Sequence, residues 1–332
     1  MWFELESVAR TATYDAMTDL APPPAIASVS LTASAVDPEG FAQELGTSFE
    51  RYGFGIIADH GIPSELIARA EEKARAFFAL PEAVKGSYHI PGGGGARGYT
   101  PFGIETAKGA TDYDLKEFWH VGRELPEGHR FADLMAPNLW PSELPGFRET
   151  FLELFAAFDT AGLRILEAIA RYLGLEPAYF EDTVEDGNSV LRLLHYPPIP
   201  RGGPNVRAGA HEDINTITLL LGAEEAGLQL LDRDGNWLPV TPNEGELVVN
   251  IGDMLQRLTN MKLRSTTHRV VNPPPERRGR SRYSMPFFLH FRPDFLIETL
   301  PDCITADRPN QFPEPITAHE YLLERLREIK LV

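Results

Sequence analysis

The sequence predicts a mixed α+β fold with a mainly β core, and three observations carry that reading. Up to about Gly174 the apolar residues recur mostly at helical spacing. From Ser189 onward they gather into short runs separated by turns, the pattern of a sandwich or jelly-roll barrel. No internal repeat is visible, so a solenoid or propeller is not indicated.

The elements follow in order. Residues 1–27 read as an N-terminal extension, because Ala21-Pro22-Pro23-Pro24 is a polyproline-like spacer. Ala27 to Leu31 is a short strand. Glu39 to Tyr52 carries Phe41, Leu45, Phe49 and Tyr52 on one helical face. Gly53 to Ile57 is a buried strand that runs into the turn His60-Gly61-Ile62-Pro63. Ser64 is expected to cap a helix that reaches about Leu80, with Pro81 marking its end. Pro91-Gly92-Gly93-Gly94-Gly95 opens an irregular segment running to about Asp114, either a surface loop or a lid over an active site.

Pro145 to Gly174 holds a long amphipathic helix whose buried stripe is Phe151, Leu154, Phe155, Phe158, Leu163, Leu166, Ile169 and Leu173. The strand candidates after it are Val190–Leu194, Ile214–Leu221, Gly227–Leu231, Leu247–Ile251, Thr266–Val271 and Tyr283–Phe291, with a hairpin turn at Asp234-Gly235. Ala318 to Lys330 places Leu322, Leu326 and Ile329 at helical spacing, which predicts a final helix packed on the barrel. The segments are therefore 1–27, 28–145 (N-terminal region), 146–187 (backing helix and connector), 188–295 (barrel) and 296–332 (helical tail).

Composition narrows the chemistry. A single cysteine among 332 residues excludes a disulfide framework and structural zinc of the Cys-pair type, and fits a reducing compartment. No run reaches the roughly 18 apolar residues of a membrane span, and residues 1–15 hold Glu4, Glu6, Arg10 and Asp15 with no apolar signal core. A cytoplasmic protein without membrane partners is expected. The formal charge of -17 disfavours nucleic acid as well, since phosphate backbones would be repelled. Oligomeric state leaves no trace in the sequence.

Chemistry concentrates at His211-Glu212-Asp213, at His268 and at Arg282-Tyr283-Ser284. Period-two geometry puts residues 211 and 213 on one side of an extended segment, and His268 lies in a second β-rich segment able to pair nearby. Two imidazoles and one carboxylate occupy one face of an octahedral ferrous ion and leave positions open for other ligands. Arg282, Ser284, Pro286 and Phe288 alternate onto one strand face, with Tyr283, Met285, Phe287 and Leu289 on the other. A guanidinium and a hydroxyl side by side make a carboxylate clamp. The bland alternatives are a barrel histidine at His268 and a surface salt bridge at Arg282.

Of the other histidines, His60 and His319 read as structural or exposed. His120 and His290 flank aromatic runs and could face a cavity, while His195 should point away from Tyr196.

Val206 to Thr218 (around His211-Glu212-Asp213), Leu247 to Asp253, Thr267-His268-Arg269-Val270 and Arg282-Tyr283-Ser284 resemble the isopenicillin N synthase-like branch of the Fe(II)/2-oxoglutarate-dependent dioxygenases. His60-Gly61-Ile62-Pro63, Arg97-Gly98-Tyr99 and Leu115-Lys116-Glu117-Phe118 extend the resemblance, which spans about residues 28 to 325. It implies a double-stranded β-helix (jelly-roll) barrel backed by helices, with an N-terminal α/β region packed against it. It also implies that His211, Asp213 and His268 bind Fe(II), that Arg282 and Ser284 bind the distal carboxylate of 2-oxoglutarate, and that Tyr196 helps hold it. The sequence departs from the family at Leu194, where plant members usually have asparagine, and at Met261, where glycine is common.

The implied reaction uses O2 and 2-oxoglutarate to oxidise a small organic metabolite, with hydroxylation as the default and release of succinate and CO2. An oxidase working without 2-oxoglutarate is the alternative, because the clamp could hold the substrate's own carboxylate. An inactive binding protein on the same scaffold is a third reading, and the presence of all three candidate ligands argues against it.

Overall fold

A computed structural model describes residues 26, 28–104, 114–199, 206–221 and 227–328. The expected N-terminal extension and the far end of the 91–114 segment lie outside these residues. In chain order the elements are β1 (Ser28–Ser30), α1 (Pro38–Tyr52), β2 (Phe54–Ala58), α2 (Ser64–Phe78), α3 (Glu82–Gly86), β3 (Gly98–Thr100), β4 (Glu117–Gly122), α4 (Phe147–Tyr172), α5 (Glu181–Val184) and β5 (Val190–Tyr196). They continue with β6 (Ala208–His211), β7 (Ile217–Leu221), β8 (Leu228–Leu231), β9 (Trp237–Pro239), β10 (Leu247–Ile251), α6 (Asp253–Leu258), β11 (His268–Val270), β12 (Arg282–Leu289), β13 (Leu296–Ile297), β14 (Ile316–Thr317) and α7 (Ala318–Glu328).

Eight strands form one sheet in the order β1-β2-β10-β7-β12-β5-β4-β3, and four form a second in the order β6-β11-β8-β9. Strands from before residue 123 therefore flank the barrel strands within a single sheet. Each face of the large sheet is covered, which is why β10 is buried at all five positions. Toward the helices, Trp119, Leu191, Leu193, Leu219, Val249, Phe287 and Leu289 join a core with Phe151, Phe155 and Phe158 of α4. Toward the small sheet, Phe54, Ile56 and Val248 meet Leu230, while Phe118, Leu194 and Tyr196 meet Ala208 and Val270. The space between the sheets is the barrel lumen. Period-two alternation alone sorts residues between core and lumen.

Several elements differ from expectation. Ser64 is the first residue of α2 and makes no capping bond; Pro63 occupies the cap position. Leu163 is 38% exposed, because the buried stripe of α4 runs through Ala161, Gly162 and Ile165 instead. A Cβ at Gly162 would sit 2.4 Å from Cδ1 of Leu289, so α4 and β12 approach closely at this glycine. The Asp234-Gly235 turn joins β8 to β9, a strand the pattern does not reveal, and β3, β4, β6 and α6 are likewise unanticipated. Strand β12 begins at Arg282 and ends at Leu289. Met261 adopts φ 65°, the left-handed conformation that explains why glycine is common at this place in the family.

One buried polar network sits on the helix side of the large sheet. Glu117 is 1% exposed and takes hydrogen bonds from Lys85 Nζ (2.7 Å), Tyr99 Oη (2.5 Å) and His195 Nδ1 (2.7 Å). Burial pushes its carboxyl up, yet the bonds from His195, Lys85 and Tyr99 outweigh this and hold it below the usual range. Lys85→Met removes the one fixed cation from this buried carboxylate. It should cost about 3–5 kcal/mol, measured as a lower midpoint in urea unfolding.

Candidate active site

His211 ends β6 and His268 begins β11, and the two are register partners across the small sheet. Their rings lie 4.4 Å apart between centroids. Asp213 stands two residues beyond the end of β6, so the strand does not continue through it as expected, yet its Oδ1 lies 3.9 Å from Nε2 of each histidine. One donor atom from each of the three falls within 4.8 Å of the others. Among the described residues this is the cluster of histidine, cysteine or acidic side chains that could hold a metal ion.

Surrounding bonds fix which atoms face inward. Nδ1 of His211 is 2.8 Å from the Gly209 carbonyl and Nδ1 of His268 is 3.1 Å from that of Thr266. Each Nδ1 therefore carries the proton and donates it, leaving the Nε2 lone pair turned toward Asp213. Oδ2 of Asp213 accepts from Thr218 Oγ1 (2.6 Å) and Asn250 Nδ2 (2.8 Å), which leaves Oδ1 for a ligand. Burial, with His268 beside it, lowers His211 to about 4, so its ring is neutral at neutral pH. Burial raises Asp213, but His268, His211, Asn250 and Thr218 pull it below the usual carboxylate range. Two imidazoles and one carboxylate, with an open side, match the donor set that suits ferrous iron.

Arg282 and Ser284 lie on the lumen face of β12, 4% and 6% exposed, with Arg282 Nη1 donating to Ser284 Oγ at 3.3 Å. The Arg282 guanidinium sits 5.1 Å from the ring centroid of Tyr196, its register partner on β5. All six expected site residues are thus brought to the barrel lumen or its rim. His195 faces the other way and stacks on Tyr283, as alternation requires. Leu194 fills its place with apolar contact beside Phe118 and Tyr196.

His60 is structural: it is buried and its ring lies 2.9 Å from the Gly245 carbonyl. His120 lies on the lumen face, bonded to Gly95 and Arg192. Sequence reasoning assigns no role to Thr218 and Asn250. They lie within the quoted motifs, but only the fold shows that both reach one carboxylate oxygen.

This architecture defines a class: a jelly roll that places a 2-His-1-carboxylate cluster and an Arg-x-Ser pair in one lumen is a non-haem iron oxygenase. Residues 24–143 match the family model for the non-haem dioxygenase N-terminal region named from morphine synthesis, and residues 187–291 match that of the 2OG-Fe(II) oxygenase superfamily. The chain belongs to the Fe(II)/2-oxoglutarate-dependent oxygenases, in the isopenicillin N synthase-like branch.

It is 36% identical over 289 residues to the 2-oxoglutarate-Fe(II) type oxidoreductase hxnY of Emericella nidulans, covering 84% of this chain and 81% of that one. It is 34% identical to the proline hydroxylase buaE of Petromyces alliaceus, covering 87% and 93%. A crystal structure of a 2OG-Fe(II) oxygenase family protein from Caulobacter crescentus superposes with a TM-score of 0.87 at 61% identity, covering 92% of this chain and 99% of that one. A full-length Neurospora crassa protein crystallised in complex with alpha-KG gives 0.80 at 30% identity, covering 90% and 95%. The protein is an enzyme that uses Fe(II), 2-oxoglutarate and O2 to oxidise a small molecule. None of its described helices is long and apolar enough to cross a membrane.

Proposed function

We propose that His211, Asp213 and His268 hold the ferrous ion, that Arg282 and Ser284 with Tyr196 bind the distal carboxylate of 2-oxoglutarate, and that the outcome is hydroxylation of a small organic metabolite. The observation that carries this is the convergence of two histidine lone pairs and one free carboxylate oxygen on a single point of the lumen. When bound, iron would activate O2 as the oxidant with two electrons from 2-oxoglutarate and two from the substrate, so that one oxygen atom ends in succinate as CO2 leaves and the other in the hydroxylated product.

The chain's own residues do the positioning. Thr218 and Asn250 fix the Asp213 carboxylate, and the carbonyls of Gly209 and Thr266 fix both imidazole tautomers. The same Neurospora crassa protein has been crystallised with thymine and with 5-formyluracil, which supports a small organic molecule as substrate here also. Nucleic acid and membranes do not enter this reading, and the compartment we assign is the cytoplasm.

Anaerobic loading with Fe(II) and 2-oxoglutarate followed by exposure to O2 tests it. Succinate should form in equal amount to 2-oxoglutarate consumed, and no succinate with either component alone. Oxygen uptake that proceeds without 2-oxoglutarate would favour the oxidase.

A further inference from the structure

A second cationic patch lies in the lumen, away from Arg282 and Ser284. Arg97, just before β3, is 4% exposed and reaches over Gly122 of β4, where a Cβ would fall 2.0 Å from the guanidinium carbon. Gly122 pairs with Val190, which pairs with Phe288, so this is the lumen face that carries Ser284 and Arg282. Nη1 donates to the Ala96 carbonyl at 2.7 Å and Nη2 to Asn188 Oδ1 at 3.3 Å. Nε is buried without a partner, and no carboxylate among the described residues pairs with this guanidinium. A buried cation left without an anion is costly, and its unsatisfied Nε–H is a donor that a carboxylate can take up.

The surroundings are cationic and aromatic as well. The Arg192 guanidinium lies 4.2 Å from the Phe118 ring centroid and 5.2 Å from that of Phe288. Its Nε donates to His120 Nε2 at 2.6 Å, which obliges His120 to carry its proton on Nδ1, donated to Gly95 at 2.5 Å. His290, just past β12, is buried and feels the charges of both Asp213 and Arg97. Along β12 the patch at Phe288 is six residues from Arg282, about 20 Å at the strand rise.

We propose that the primary substrate is a small carboxylic acid whose carboxylate docks on Arg97 while the rest of the molecule extends along the lumen face toward the metal cluster. This rests on the assignment of the lumen as the active site. Two anion subsites then share one lumen: Arg282 for the cosubstrate and Arg97 for the substrate.

The test uses the full chain with Fe(II) and saturating 2-oxoglutarate, and a panel of small aromatic and aliphatic monocarboxylic acids beside their primary amides. Acids should raise the anaerobic melting temperature and stimulate succinate release, at concentrations about 10-fold or more below those their amides need. Arg97→Gln should raise the KM for the stimulating acid by about 10- to 100-fold, with the KM for 2-oxoglutarate moving less than about twofold. Gly122→Ala, which drives a methyl group into the guanidinium, should give the same split with the charge retained.

Arg97→Gln should also unfold no more easily than the parent when ligand-free, because an unpaired buried cation has been removed. A structural arginine would give the opposite. Absence of any acid-over-amide preference in both readouts, or an unchanged KM in Arg97→Gln, overturns the proposal. If Fe(II) and 2-oxoglutarate give no succinate with O2 under any condition, the lumen assignment itself fails.

Discussion

Asp213→Ala is expected to abolish turnover and iron retention together, the largest effect in this molecule. Asp213 supplies the single negative charge of the cluster, and its Oδ1 is the atom that both Nε2 atoms approach at 3.9 Å. With two imidazoles left, the site has neither the carboxylate charge nor the third ligand that a divalent ion requires. His211→Ala and His268→Ala should do the same. The graded control is Asn250→Ala, which leaves the ligand in place and removes the 2.8 Å bond that orients it. It should weaken iron binding by about 10- to 100-fold rather than abolish it. Iron content after desalting, with succinate release, measures both. Full activity in any ligand variant removes that residue from the site.

Arg282→Leu is expected to raise the 2-oxoglutarate requirement by about 10- to 100-fold, the equivalent of about 1.5–3 kcal/mol for a hydrogen bond to a charged group. Leucine keeps the apolar stem that packs near Tyr196 and deletes the cation, so iron retention should survive. The contrast with Asp213→Ala separates the two subsites: one variant loses iron, the other loses cosubstrate affinity at full iron content. A normal 2-oxoglutarate requirement in Arg282→Leu would move the anchor to another group of the lumen.

The candidate site is more legible in the sequence than the fold around it. Residues 211 and 213 announce themselves by spacing, and Arg282 and Ser284 by alternation on an apolar strand whose other face buries Met285, Phe287 and Leu289. The short strands β3, β6 and β9 are not legible, because three or four residues hold too few periods to show alternation. β4 escapes notice for a different reason. It is buried at all six positions, so Glu117 and His120 read as polar interruptions although each is satisfied by partners far away in the chain. Leu163 is misplaced by extending a helical stripe that drifts around α4 over 26 residues.

By itself the sequence determined the donor types, the clamp and the helix-then-strand order, because these depend on side-chain chemistry and on local periodicity. Tertiary structure alone decided the convergence. Residue 268 stands opposite residue 211 through antiparallel pairing of β6 and β11, and Thr218 and Asn250 reach Asp213 only because β7 and β10 are neighbours in the large sheet. It also decided the charge of the lumen. Arg97 and Arg192 are ordinary arginines in the sequence. Arg97 acquires chemical consequence only once it is folded over Gly122 of β4, where desolvation makes its charge expensive to leave without an anion.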